Sequence, residues 1–443
     1  MHLLTVLALR ILMALLFCVG LLRVVADGPE LVMVGVVLLA VYLALSVLAG
    51  RCRPDTLIIS FVIATLALAI TLQTGHWSVL YDGVAFALIF TFFLPAIQFV
   101  RATVQASPEV GQSREAFEQM KEGERTGGMF LGAHVLGSTL IMGAYPILAP
   151  LIPLDADPAE RARAARTNCR GTSLVLYWSP FTVGMAFVLT AWPELPLWQI
   201  VAAGLPLSAI GLLLGVTAFG PPGAARGVKL ALIGFGPLIL PLGTATIIVT
   251  AIASLTTLGT IRTVAIFMPL LCLGWVFFRL GGKLRPIAHN AWDGLDGLGN
   301  DLMLFASAMM LGKAIEASGV LDLLLTNEIF MSLPPMLVVG VLMLLGLLAA
   351  VMTLHPIVTA AFFVPILQGF EPGLAPLVAG LVLLYAWMCG SMLALSSLSV
   401  VLAARVYNVP AKGIAYGRNL SYMAGLGVIS FIMFCGLEFV LGG

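Results

Sequence analysis

The sequence predicts an all-α polytopic membrane protein with about 11 transmembrane helices plus two oppositely oriented re-entrant hairpins in an inverted repeat. Three observations predict it. The chain is 60% hydrophobic and 10% charged, whereas a soluble domain is about 25% charged, so too few charges exist to clothe it in water. The apolar residues fall into blocks of about 20, the length that crosses hydrocarbon. The basic residues gather in alternate connections, and two apolar stretches do not fit that alternation.

In chain order the expected spans are 3–25, 30–50, 55–73, 79–100, 171–192, 197–219, 230–252, 260–279, 301–325, 374–404 and 416–440. The first is expected to be a retained helix, because residues 1–25 have neither a basic opening nor a small-residue cleavage site. One set of connections holds Arg51, Arg53, Arg101, Arg114, Lys121, Arg125, Arg161, Arg163, Arg166, Arg170, Arg226, Lys229, Arg279, Lys283, Arg285, Arg405, Lys412 and Arg418. These are 18 of the 22 basic residues. The other set has Arg23 and Arg262 beside Asp27, Glu30, Glu194, Asp322, Glu328 and Glu371. Basic connections stay in the cytoplasm. The expected topology is therefore multi-pass in the cell inner (cytoplasmic) membrane, N-terminus cytoplasmic and C-terminus outside.

The stretch 128–153 is apolar but basic on both flanks. Crossing would put the arginines of 161–170 outside, so a hairpin over 121–154 that enters and returns on the cytoplasmic side is expected. The stretch 334–370 has no Lys or Arg on either flank and is broken at His355-Pro356, where proline removes a backbone donor. It is expected to be an outside-facing hairpin. The chain then divides into 1–219 (four helices, hairpin, two helices) and 220–443 (three helices, hairpin, two helices). Non-helical backbone at membrane depth survives where it lines a cavity, and paired inverted hairpins are a transporter arrangement.

Short patterns recur in the two halves. Tyr145-Pro146-Ile147-Leu148 ends the first hairpin and Val364-Pro365-Ile366-Leu367 the second. Each is followed by a helix interrupted by hydroxyls: Gly171-Thr172-Ser173 then Ser179-Pro180-Phe181-Thr182, and Gly390-Ser391 then Ser396-Ser397-Leu398-Ser399. A helix broken in mid-membrane exposes N–H ends that hold anions and carbonyls that can replace the water of a sodium ion. The competing expectation is that these hydroxyls bond back to their own helices.

Net charge is +1, so no basic face addresses nucleic acid. The six cysteines lack metal-ligand or redox spacing. No nucleotide-binding loop, H-E-x-x-H or G-x-S-x-G motif is present, so no enzyme is expected. Among intramembrane charges, Lys313 and Glu316 are spaced to pair structurally, Asp82 lies at a span end, and Arg10 and Arg262 are expected to snorkel. His134 and His355 each belong to a hairpin and could titrate with a coupling proton.

The run from Leu304 through Gly312-Lys313-Ala314-Ile315-Glu316-Ala317-Ser318-Gly319 resembles the Lys-Ala-Ile-Glu-x-Ser-Gly helix end of the ion-transporter superfamily that includes the divalent anion:sodium symporters. The Pro-Ile-Leu hairpins and following Gly-Thr/Ser helices are similar too, over roughly 80–440. The resemblance implies elevator-like alternating access and a homodimer, with the early helices and 230–279 as scaffold. The family's Ser-Asn-Thr hairpin tips are replaced by Leu136-Gly137-Ser138 and His355-Pro356-Ile357. Its Thr-Pro-Pro-Asn breaks are replaced by Ser179–Thr182 and Ser396–Ser399. The substrate is thus left open among di- and monocarboxylates and inorganic oxyanions.

The expected function is secondary transport of a small anion with sodium or protons. A sodium/proton antiporter of the same superfamily and a membrane subunit of a multi-component permease stand as alternatives. The expected partners are that solute, its coupling ion, the lipid bilayer and a second copy of the chain. No cofactor is expected beyond a sodium ion. The candidate site joins Gly137, Ser138, Thr139, Ser179, Thr182, His355, Thr359, Ser396, Ser397 and Ser399, the small and polar groups at the backbone breaks.

Overall fold

A computed structural model describes residues 2–26, 28–110, 120–153, 155–256, 258–320, 332–370 and 373–442. Every regular element among them is helical, as lipid demands of a backbone that must satisfy its own N–H and C=O groups. Among the described residues ten helical stretches are long and apolar enough to cross a membrane. They are Leu4–Val25, Pro29–Leu48, Pro54–Thr74, Ser78–Gln105, Glu122–Leu151, Leu197–Thr217, Gly236–Leu255, Thr260–Phe278, Pro376–Tyr407 and Ala411–Leu441. The chain is a polytopic α-helical membrane protein.

The helices are α1 (His2–Val25), α2 (Pro29–Leu48), α3 (Pro54–Thr74), α4 (Ser78–Gln105), α5 (Glu122–Leu140), α6 (Ala144–Leu148) and α7 (Pro158–Leu174). There follow α8 (Val183–Ala191), α9 (Leu197–Thr217), α10 (Ala224–Gly234), α11 (Gly236–Leu255), α12 (Thr260–Phe278), α13 (Leu284–Asp293) and α14 (Gly299–Ala317). The last are α15 (Pro335–Val351), α16 (Pro356–Gly369), α17 (Pro376–Leu393), α18 (Leu398–Tyr407), α19 (Ala411–Ala415) and α20 (Arg418–Leu441). The spans at 171–192 and 374–404 are each two helices around the expected break. Two other spans change: that at 230–252 starts only at Gly236, and that at 301–325 is helical over α14. Residues 321–325, with Asp27, Asp322, Glu328, Glu371 and Arg114 of the charge pattern, lie outside the described residues.

Two compact units form, and they cut across the two sequence halves. One comprises Met1–Thr103, Thr256–Ser332 and Ala361–Gly373; the other comprises Val104–Leu255, Leu333–Ala360 and Leu374–Gly443.

In the first unit α14 packs along α3, and Phe90 of α4 stacks on Phe305 with ring centroids 3.9 Å apart. Arg10 has acidic partners in the fold. It pairs with Asp293 at 2.6 Å and Asp296 at 2.9 Å, and Arg51 also reaches Asp296 at 3.2 Å. A guanidinium within an apolar helix is held by fixed carboxylates when the fold brings them to it. Lys313 and Glu316 pair at 2.7 Å on α14, the structural bridge their spacing predicts.

In the second unit the directions of two helix pairs follow from their contacts. α5 and α7 run parallel. Glu122 pairs with Arg163 at 3.0 Å and Arg125 with Glu160 at 3.4 Å near their starts; His134 meets Gly171 farther along. α15 and α17 are also parallel, since both run antiparallel to α20. Gly340 faces Phe431 and Val351 meets Tyr416, while Ala375 meets Glu438 and Tyr385 meets Met423. α7 by contrast runs parallel to α20, through Arg170–Asn419 and Tyr177–Ser430. The two pairs thus point in opposite senses. The connection in each holds a β-branched residue at positive φ, Ile141 (48°) and Thr353 (65°), a conformation such side chains resist.

Both following helices are interrupted. After α7 a 3₁₀ turn over Val175–Tyr177 leads to Ser179-Pro180, where proline ends the ladder. Thr182 then caps α8 by accepting the Met185 N–H at 3.2 Å. α17 ends at Leu393, and α18 begins after Ser397. The Ser397 hydroxyl donates to the Ser391 carbonyl at 2.8 Å, serving an acceptor that the broken helix leaves exposed.

α10 crosses α5 through glycines on both helices. A Cβ on Gly127 would collide with the Ala224 carbonyl, one on Gly123 with the Pro222 carbonyl, and one on Gly227 with the Glu124 carbonyl. Small residues four apart on each partner permit this approach, and Arg226 pairs with Glu124 at 3.3 Å beside it.

Candidate functional site

All ten predicted site residues lie in the second unit. At the first break the Ser179 hydroxyl donates to the Ser138 carbonyl at 2.6 Å and accepts the Phe181 N–H at 3.3 Å. At the second the Ser396 hydroxyl donates to the Thr353 carbonyl at 2.8 Å. The two contacts span 41 and 43 residues respectively. In each, a hydroxyl of the interrupted helix satisfies a carbonyl at the end of the preceding helix, where the ladder has stopped.

The other hydroxyls divide. Ser138 donates to the Val135 carbonyl at 2.7 Å, Thr182 to the Ser179 carbonyl at 3.2 Å and Ser397 to Ser391. The first two are the local bonds that Ser and Thr ordinarily make; the third reaches six residues back across the break into α17. Thr139 differs: it is fully buried and its hydroxyl has no hydrogen-bond partner, a state shared by the nearly buried Ser173 of α7. Gly137 lets α5 touch α7, since a Cβ there would stand 3.1 Å from Thr172. His355 Nδ1 accepts the Ile357 N–H at 3.3 Å, and Thr359 is buried one turn into α16. Ser399 lies 3.8 Å from the Met142 sulfur.

Sequence reasoning missed Tyr145. Its buried hydroxyl meets Thr172 Oγ1 at 2.9 Å and Cys169 Sγ at 3.5 Å, with Ser399 as a third polar neighbour. Cys169 also reaches the Ser399 carbonyl at 3.9 Å. One tyrosine thus joins the first connection, α7 and α18, and links the hydroxyls of both halves. Its place beside Pro146 in the repeated pattern was the available signal, but Val364 stands in the second copy and the pairing with Thr172 leaves no local mark.

His134 is fixed by its partners. One ring nitrogen lies 3.3 Å from the Gly171 carbonyl, which can only accept, and the other 3.1 Å from the Trp178 indole N–H, which can only donate. That pair demands the neutral ring with hydrogen on Nδ1; a second proton would set two donors head to head. His134→Ala is therefore expected to lower the midpoint of thermal unfolding, because it strands a carbonyl and an indole N–H, yet to leave the pH profile of activity unchanged. An altered profile at normal stability would show that the histidine titrates.

None of the ten side chains carries a fixed charge. Among the described residues no group of three or more His, Cys, Asp and Glu is placed to hold a metal ion. The Thr139 hydroxyl is a buried oxygen without a hydrogen-bond partner. No protein-family model matches the chain, and no curated protein sequence matches it either.

Proposed function

We propose that this chain is a secondary active transporter of a small anion, a di- or monocarboxylate or an inorganic oxyanion, coupled to sodium or protons. The observation that carries the reading is the matched contact pair, Ser179 on Ser138 and Ser396 on Thr353, set in two helix pairs of opposite sense. On this reading 121–154 and 334–370 are re-entrant hairpins of an inverted repeat, and the solute binds between their tips and the two interrupted helices. α8 and α18 present positive N-terminal ends there for an anion. The Thr139 hydroxyl and neighbouring carbonyls would hold sodium, and bound sodium would supply positive charge to the solute. The neutral lock on His134 favours sodium over a proton carried by that residue. Resemblance to the anion:sodium symporters supports elevator-like movement and a homodimer in the inner membrane.

The test is reconstitution of the purified chain alone into liposomes. Labelled carboxylates, sulfate and phosphate are offered under an inward sodium gradient and, separately, under a proton gradient. Accumulation of at least one anion under one gradient is expected. Folded protein that moves no anion under either gradient would overturn the proposal.

A further inference from the structure

Away from the interrupted helices, Arg166, Arg170 and Arg418 gather in the second unit, and none of them has an acidic partner among the described residues. Arg170 is buried near the end of α7, only 4% exposed. Its guanidinium lies 4.9 Å over the Phe219 ring and 4.8 Å over the Tyr422 ring. It donates to Asn419 Oδ1 at 2.7 Å and to the Arg418 carbonyl at 3.0 Å. Arg418 lies over the same Phe219 ring at 6.0 Å. Arg166, one turn before Arg170, donates to the Gly413 carbonyl at 3.1 Å. All three guanidiniums repel one another. The nearby carboxylates are committed elsewhere, Glu160 to Arg125, Glu122 to Arg163 and Glu124 to Arg226. Aromatic faces and carbonyls stabilise a cation but do not neutralise it, and a buried charge without a counter-ion is unfavourable.

A second observation points to the missing partner. Asn419 is fully buried; its oxygen is taken by Arg170, and its amide nitrogen has no hydrogen-bond partner. That leaves one neutral donor and three cationic groups around one locus, the complement of an anion with several acceptor oxygens. The depth of the locus selects the anion. Phe219 comes two residues after α9 ends, and Arg418 opens α20. Both helices belong to spanning stretches and expose apolar side chains, Leu213 and Val428 at 62% each. Guanidiniums where two such spans end are placed to meet lipid phosphates if the spans cross the bilayer.

We propose that Arg166, Arg170, Arg418 and Asn419 bind the phosphate of an anionic phospholipid headgroup. The site is independent of the solute site, and binding rather than transport reads it. Purified full-length protein in detergent is titrated with phosphatidylglycerol, with phosphatidylcholine and with inorganic phosphate. Native mass spectrometry counts bound lipid, and thermal unfolding reports stabilisation. Arg170→Gln endangers folding, so the working variants are Arg418→Gln, at an exposed position, and Arg166→Gln/Arg418→Gln, which leave the Arg170 packing in place. Phosphatidylglycerol is expected to bind about fivefold more weakly to the single variant and about thirtyfold more weakly to the double. Phosphatidylcholine should bind all three proteins alike, and millimolar phosphate should not displace phosphatidylglycerol. Equal phosphatidylglycerol affinity for wild type and double variant would overturn the site. Displacement by inorganic phosphate at concentrations comparable to the lipid would overturn the lipid as its occupant.

Discussion

Gly127→Val is expected to cut the yield of folded protein sharply and to lower its thermal unfolding midpoint more than any single hydroxyl deletion. The Cβ position at Gly127 is already occupied by the backbone carbonyl of Ala224, and that of Gly227 by the carbonyl of Glu124. A flexible side chain could swing aside; two helix backbones locked by reciprocal glycines cannot, so α5 and α10 must separate. Overpacking typically costs 1–3 kcal/mol, and a rigid backbone obstacle places this case at about 3 kcal/mol or more. Separation would also pull Glu124 from Arg226 and disturb the start of α5, where Glu124 accepts the Lys121 N–H at 3.1 Å. The control is Gly243→Ala in α11, whose Cβ would meet nothing within 4 Å. It should be neutral or stabilising by about 0.5–1 kcal/mol, the helix preference of alanine over glycine. Both variants can be compared by unfolding in detergent with gel filtration as the readout of folded protein. A Gly127→Val protein as stable as Gly243→Ala would mean that α5 and α10 do not cross at these glycines.

The same crossing shows where sequence reading stopped. Apolar spans such as α1 to α4 were legible because bilayer thickness sets their length and lipid forbids charge within them. The helix breaks were legible because Pro180 and the clustered hydroxyls are local signals. α10 was not, although Gly123/Gly127 and Gly223/Gly227 stand at the spacing of close-packed membrane helices. A hydropathy window absorbs such a short helix into its neighbour, and nothing in either pair names its partner. The partners of Arg10 were hidden for a similar reason. Its carboxylates lie 283 and 286 residues away, so the free energy of pairing is invisible until the chain has folded. His134 was open to a proton-carrying role until two segments supplied one pure acceptor and one pure donor for its ring. At the candidate site, composition located the hydroxyls, but only geometry separated Ser179 and Ser396, which bridge segments, from Ser138 and Thr182, which bond locally, and from Ser397, which reaches back across its own break.

That separation makes the bridging serines the sharper test of function. Ser179→Ala strands the Ser138 carbonyl, three residues before Ile141, and Ser396→Ala strands the carbonyl of Thr353, both near the end of a helix. An unpaired buried acceptor costs about 1–3 kcal/mol, which corresponds to roughly tenfold or more in affinity if the loss falls on the solute-binding arrangement. Each variant should express normally and yet take up solute with at least tenfold lower apparent affinity. Ser138→Ala is the internal comparison, because its hydroxyl serves only the Val135 carbonyl within its own helix and should matter by less than about 0.5 kcal/mol. Thr139→Val asks a different question, since its hydroxyl has no protein partner to lose. Its removal should leave stability intact while weakening the sodium dependence of uptake. The double variant Ser179→Ala/Ser396→Ala should show nearly the product of the single losses if the two contacts act independently, and less than the product if one broken end already frees the other. If both single variants transport with wild-type rate and affinity, the solute does not bind between the interrupted helices, and the matched contacts only hold the two helix pairs together.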